Sequence, residues 1–204
     1  RVAAISFLID VSASMLSRVS STGSYRRIDA TVDSMTNILK SEIKDGTYFS
    51  LSAFGKKFTR YIEPLRVGEK NRHTILERIL EIPSITRERC THFWAALVEL
   101  ATEMKNVPLR FNERPWIVAL TDGGDNDSRR EFTPERAKMA LEEAGVTLIV
   151  VAVDMGQEYV DLLRRAVVEK PNYVIGTDSS NLSAAFQEGF RIADSGGDAV
   201  MESL

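Results

Sequence analysis

A single cysteine, Cys90, in 204 residues leaves no internal disulfide to hold this chain together, so its stability must come from packing. A lone thiol also suits a reducing compartment, and the expected setting is the cytosol. Only two histidines, His73 and His92, are present. Far apart and joined by one cysteine, they do not compose a zinc site, and neither has a nucleophile motif beside it. No apolar run approaches the ~20 residues that cross a bilayer, and no signal peptide is visible, so membrane insertion is not expected. The chain begins at Arg1 rather than Met, as a fragment of a longer protein would. Its formal net charge of -3 gives no broad attraction to nucleic acid. The pairs Arg26-Arg27, Arg129-Arg130 and Arg164-Arg165 are separated in sequence and read as solvated faces. Neither Gly-x-x-x-x-Gly-Lys-Ser/Thr nor Gly-x-Gly-x-x-Gly occurs, which removes the common nucleotide-binding loops.

What the chain does have is 44% hydrophobic residues, enough for one sizeable core in a monomeric domain. Short apolar runs alternate with amphipathic segments. Val2 to Asp10 reads as a strand buried on both faces, followed by a helix from about Arg27 to Ile43 with Ile28, Val32, Met35 and Leu39 on one stripe. Tyr48 to Phe54 and Phe58 to Ile62 form a hairpin about Gly55-Lys56, closed by Pro64, which puts one antiparallel strand at the sheet edge. A helix with Ile75, Ile79 and Ile82 stops before Pro83, and a second buries Phe93, Leu97, Leu100 and Met104. The rest alternates again: strand Trp116 to Thr121, helix Pro134 to Ala144, strand Val146 to Val153, helix Glu158 to Val168, strand Tyr173 to Ile175, helix Leu182 to Ala193. The pattern predicts a doubly wound, mostly parallel six-stranded α/β sheet with helices on both faces. Residues 1–193 form the domain; 194–204, with Gly196-Gly197 and little periodicity, read as a tail or the start of a linker.

In such a sheet, ligands collect beyond the carboxyl ends of the parallel strands. Asp10 ends the first apolar run, and Asp10-Val11-Ser12-Ala13-Ser14 aims a carboxylate and two hydroxyls out of one turn. Asp122 ends another strand, and Thr91 sits in a loop just before a helix. Five oxygen donors from three loops suit a hard divalent cation. Each also has a plainer role, since Asp, Ser and Thr cap helices and end strands. Their convergence in one crevice is what would set the site apart.

These residues resemble the von Willebrand factor type A domain family. Asp10-Val11-Ser12-Ala13-Ser14, followed by Met15, is similar to the Asp-x-Ser-x-Ser of that family's metal-ion-dependent adhesion site. Thr91, before His92-Phe93-Trp94-Ala95-Ala96-Leu97, looks like its threonine, and Thr121-Asp122-Gly123 like its Thr-Asp-Gly. The resemblance covers about residues 2–193 and implies a Rossmann-like fold with a complete adhesion site. It further implies Mg²⁺ or Mn²⁺ rather than Ca²⁺, with Ser12, Ser14 and Thr91 as direct ligands and Asp10 and Asp122 acting through bound water. A protein partner's Asp or Glu would then complete the coordination.

The chain departs from the family pattern before the threonine, where Arg89-Cys90 stands in place of a Gly-rich turn. His92, Trp94, Asp125 and Asp127 are candidate rim or partner contacts, and Asp125 with Asp127 is a candidate for a second cation. Two other classes stay in view. One is a phosphoryl-transfer enzyme using Asp10 as nucleophile, which the replacement of a second acid by Ser12 disfavours. The other is a domain whose metal is purely structural. The reading adopted is a non-enzymatic, metal-dependent protein-interaction module.

Overall fold

Val2–Asp10 forms β1 at the centre of a six-stranded sheet, because its apolar residues on both faces need helices above and below. The computed structural model describes residues 2–85, 89–110, 113–125, 131–166 and 169–197. In chain order the elements are β1, α1 (Arg27–Ser41), β2 (Tyr48–Phe54), β3 (Phe58–Arg66), α2 (Glu69–Glu81), α3 (Phe93–Met104), β4 (Glu113–Thr121), α4 (Pro134–Ala144), β5 (Thr147–Val153), α5 (Gln157–Ala166), β6 (Val174–Thr177) and α6 (Leu182–Asp194). The sheet order is β3-β2-β1-β4-β5-β6, parallel throughout except for the edge strand β3. From neighbouring strands, β1 connects outward to β2 and β4 outward to β5. The strand order therefore reverses between β1 and β4, and a crevice opens at their carboxyl ends.

The two faces are set by strand parity. Phe7 meets Phe186 and Phe190 of α6 at ring-centroid distances of 5.3 and 6.4 Å, whereas Phe54, paired in register with Asp10, meets Phe93 of α3 at 5.6 Å. Odd and even residues of β1 thus point to opposite helical layers. The buried stripe of α1 includes Ile28, Val32, Met35 and Leu39, as its spacing predicts.

Several boundaries differ from the sequence reading. α1 ends at Ser41 rather than near Ile43: the N–H groups of Glu42 and Ile43 both bond to the Ile38 carbonyl, and Arg72 of α2 reaches the Leu39 and Ile43 carbonyls. A side chain from another helix closes that end, which local spacing does not reveal. Pro64 does not close β3, which continues to Arg66. Between the pairs Leu51↔Ile62 and Phe49↔Leu65, one residue of β2 faces two of β3, and this bulge on an edge strand tolerates the missing proline N–H. β4 starts three residues early, at Glu113. Its Pro115 is accommodated because β5 pairs only from Trp116 onward.

Residues 195–197 also do more than trail away. The N–H of Gly197 bonds to the Ile192 carbonyl, and a Cβ at Gly197 would lie 2.4 Å from the Tyr173 hydroxyl and 3.3 Å from the Trp116 ring, at φ +85°. Gly197→Ala is expected to destabilise the fold by about 1–3 kcal/mol, read as a lower urea midpoint. Unchanged stability would mean that this turn does not dock on the Trp116–Tyr173 pair. The remaining tail, 198–204, lies outside the described residues. Among the described residues, no helix is long and apolar enough to cross a membrane.

Candidate functional site

β1 reaches one hydrogen bond past its end: the N–H of Val11 bonds to the Phe54 carbonyl at 2.8 Å, which fixes the turn that follows. Ser12 then begins a short 3₁₀ turn, Ala13–Leu16, anchored by the fully buried Met15. This arrangement points Asp10, Ser12 and Ser14 into the crevice between β1 and β4.

Asp10 has no solvent exposure. One carboxylate oxygen accepts the Ser12 N–H at 2.8 Å and the other the Thr121 hydroxyl at 2.9 Å. Ser14 donates its hydroxyl proton to Asp122 at 2.6 Å, so in the 2.9 Å contact between Ser12 and Ser14 it is Ser12 that donates. A hydrogen-bonded chain therefore runs from the first strand end to the fourth. Thr91 is buried, and its Oγ1 lies 3.9 Å from where a Cβ at Gly123 would stand, beside Asp122. Its loop is held to the β2 end by the N–H of His92, which bonds to the Gly55 carbonyl at 3.0 Å. The structure thus gathers Asp10, Ser12, Ser14, Thr91 and Asp122 into one crevice.

Burial, and next the charge of Asp122, push the Asp10 carboxyl up from 3.8 to about 6, against the opposing pull of its hydrogen bonds. Two buried carboxylates side by side favour a cation between or beside them. Among the described residues no cluster of three or more His, Cys, Asp or Glu side chains could hold a metal ion. The donor set here consists instead of two carboxylates and three hydroxyls, all hard oxygens, and it fits a small divalent cation.

The site has a cation of its own. Arg27, the first residue of α1, bonds through its guanidinium to Asp122 at 2.7 Å, to Asp154 at 2.5 Å and to Ser179 Oγ at 2.8 Å. Ser179 in turn donates to Asp154. This corrects the reading of Arg26-Arg27 as a solvated face: Arg26 is tied to Asp29 at the start of α1, while the Arg27 side chain is only 15% exposed and faces the crevice. Asp154 directly follows β5, and the strand-end rule that picks out Asp10 and Asp122 also points to it. No local signal marks Arg27 or Ser179.

The candidate rim residues take different places. Trp94 is buried and packs its ring on Tyr159 at 5.9 Å and on Phe93 at 5.1 Å, so it forms the wall beside the site and offers no projecting face. Asp125 is half-buried; it accepts the Trp94 N–H at 2.9 Å, and its own N–H bonds to the Tyr159 hydroxyl at 3.0 Å. That carboxylate serves the N-terminus of α3 and ties the Asp122 loop to the helix that follows Thr91. His92 is half-buried at the same helix start. Asp127 and the pair Arg129-Arg130 lie outside the described residues.

A family model, the von Willebrand factor type A domain, matches residues 5–124, more than half of the chain. No curated protein matches it in sequence. Among solved structures, proximal thread matrix protein 1 from the mussel byssus, with a zinc-occupied MIDAS motif, is similar at TM-score 0.70 and 20% identity, covering 94% of this chain and 46% of that one. A von Willebrand factor type A protein from Catenulispora acidiphila gives 0.68 at 17% identity, covering 94% and 42%. The vWF domain of the type V pili tip protein Mfa5 from Porphyromonas gingivalis gives 0.69 at 11%, covering 99% and 98%. The chain thus spans less than half the length of the first two. At these identities the likeness is one of fold. Neighbours from a byssus and a pilus lend no support to the cytosolic setting read from Cys90, and that expectation is not carried further.

Proposed function

We propose, since this chain belongs to the von Willebrand factor type A domain family, that its crevice binds a divalent cation and through it engages an acidic residue of a protein partner. The cation is Mg²⁺ or Mn²⁺ in preference to Ca²⁺. Ser12, Ser14 and Thr91 would supply neutral hydroxyl ligands, and Asp10 and Asp122 would act on the cation through bound water. Held there, a divalent cation would supply Lewis acidity towards an outside carboxylate. Hydroxyl ligands leave it electron-poor, which strengthens that affinity.

The observation that carries this reading is the hydrogen-bonded chain Ser12–Ser14–Asp122 closing over a buried Asp10 at the strand-order reversal. The same geometry argues against a nucleophilic role for Asp10, since both its oxygens are engaged and neither meets solvent. The zinc-occupied motif named for the byssal protein supports metal binding in this fold, and neighbours from a thread matrix and a pilus tip favour interaction over catalysis.

The test is titration of Mg²⁺ and Mn²⁺ into the protein and into Thr91→Ala by calorimetry, followed by partner capture in Mg²⁺ and in EDTA. Thr91→Ala is expected to weaken metal binding roughly tenfold and to lose the partners that EDTA also releases, with the fold intact by circular dichroism. Partners held equally in Mg²⁺, in EDTA and by Thr91→Ala would reduce the metal to a structural role.

A further inference from the structure

The geometry points to Arg27 as the residue that sets the charge of the loaded site, and so divides its affinity between the cation and the incoming carboxylate. The inference rests on the cation reading above. Asp10, Asp122 and Asp154 carry three formal negative charges and Arg27 one positive; Arg27 bonds to Asp122 and Asp154, the Ser12–Ser14 hydroxyls lead on to Asp122, and Asp10 accepts the Ser12 N–H. This group is doubly negative, and a divalent cation brings it to neutrality. Among the described residues, Asp125 in the same loop faces the N-terminus of α3, whose partial positive charge takes up part of its own, and the remaining charged groups nearby leave that balance in place. Arg18 and Asp178, which line the adjoining cleft of about 310 Å³, offset one another, and Arg26 is paired with Asp29.

Neutrality matters because the proposed ligand is itself an anion. Without the guanidinium, the loaded site would keep a net negative charge and repel the carboxylate it has to accept, while holding the divalent cation more tightly. Arg27 therefore acts with opposite sign on the two binding steps. Its position suits such a role. The side chain is only 15% exposed, so its charge is poorly screened, and three hydrogen bonds hold it in place. Its bond to Asp122 leaves the other oxygen of that carboxylate facing Ser14, so Arg27 does not block the hydroxyl side of the crevice.

A residue that merely propped up Asp122 would behave differently, since its loss would weaken both steps together. The test uses the full chain near neutral pH. Mn²⁺ binding is read by electron paramagnetic resonance, and carboxylate binding by the loss of solvent-proton relaxation as acetate displaces water from bound Mn²⁺. Arg27→Gln is expected to tighten Mn²⁺ about three- to tenfold and to raise the acetate concentration needed for half-displacement by a similar factor. Arg27→Lys, which keeps the charge, should restore both values towards wild type. Asp154→Asn, which removes the opposing charge beyond Arg27, should shift both in the reverse direction. Weakening of both steps in Arg27→Gln, or no change in either, overturns the inference. Should Arg27→Gln fail to fold, Asp154→Asn decides between the same two outcomes. Absence of Mn²⁺ binding by the wild-type chain would overturn the cation reading itself. Wild-type binding that Asp122→Ala abolishes, with no opposed shifts at Arg27, would sink the Arg27 inference alone.

Discussion

Asp10→Asn is expected to make the metal-free protein more stable while costing divalent-cation affinity roughly ten- to a hundredfold. The gain comes from removing a charge that the fold buries completely beside Asp122. The hydrogen bonds need not suffer. Thr121 Oγ1 lies 2.9 Å from the Asp10 carboxylate and 2.8 Å from the Gly123 carbonyl, and its single proton cannot serve both acceptors fully. The side-chain amide that Asp10→Asn introduces would donate to the Thr121 oxygen and release that proton to Gly123, while its carbonyl keeps the Ser12 N–H. A protonated Asp10 can make the same contacts, so its hydrogen bonds only partly offset the burial and the Asp122 charge that favour the proton.

The pH dependence follows in sign. A carboxyl at about 6 in the folded state and 3.8 unfolded binds its proton more tightly when folded. Its contribution to the stability of the metal-free protein is therefore greatest below 3.8, is lost as pH rises to about 6, and does not recover above it. Denaturation by urea in EDTA, across pH, should show wild type and Asp10→Asn converging in acid and separating towards neutrality by on the order of 1–3 kcal/mol. Metal binding by wild type should fade as pH falls through about 6, because proton and cation compete for the same carboxylate. Parallel curves for the two proteins would show that Asp10 carries no buried charge penalty.

The parts of the site legible in sequence are those that strand ends announce. Asp10 and Asp122 close apolar runs, and the reversal of strand order between β1 and β4 brings those runs side by side. Thr91 is legible only through its motif, and its approach to Gly123 depends on a loop docking over Gly55 that no local pattern encodes. Arg27 escapes a sequence reading for a physical reason: adjacent arginines on a helix normally face water, and only the folded sheet puts Asp122, Asp154 and Ser179 within reach of one guanidinium. Trp94 is ambiguous in sequence because helical spacing marks a buried face without saying what the ring meets. In the fold it meets Tyr159, from a helix more than sixty residues later in the chain. Pro64 misleads because proline ends central strands but survives at a bulged edge, and edge position is a property of the whole sheet.

The largest loss of stability is expected from Phe7→Ala, about 3–5 kcal/mol by urea denaturation. Phe7 lies at the middle of the central strand and is 1% exposed. Its ring contacts Phe49 on the neighbouring strand at 5.6 Å and both phenylalanines of α6, so truncation opens a cavity where four rings meet. Rigid strands and a helix border that cavity, which limits how far it can collapse. The effect should stay separate from the site, because Phe7 points to the α6 layer and Asp10, by strand parity, does not. Mn²⁺ affinity of the folded fraction should therefore match wild type. Phe54→Ala provides the contrast. Its ring packs on Phe93 at the start of α3, so losing the ring loosens the support beneath Thr91, while its backbone carbonyl, which the substitution keeps, still accepts the Val11 N–H. It should cost stability and cation affinity together. A Phe7→Ala protein that lost metal binding while still folded would mean that the α6 layer, and not the strand ends alone, holds the crevice in shape.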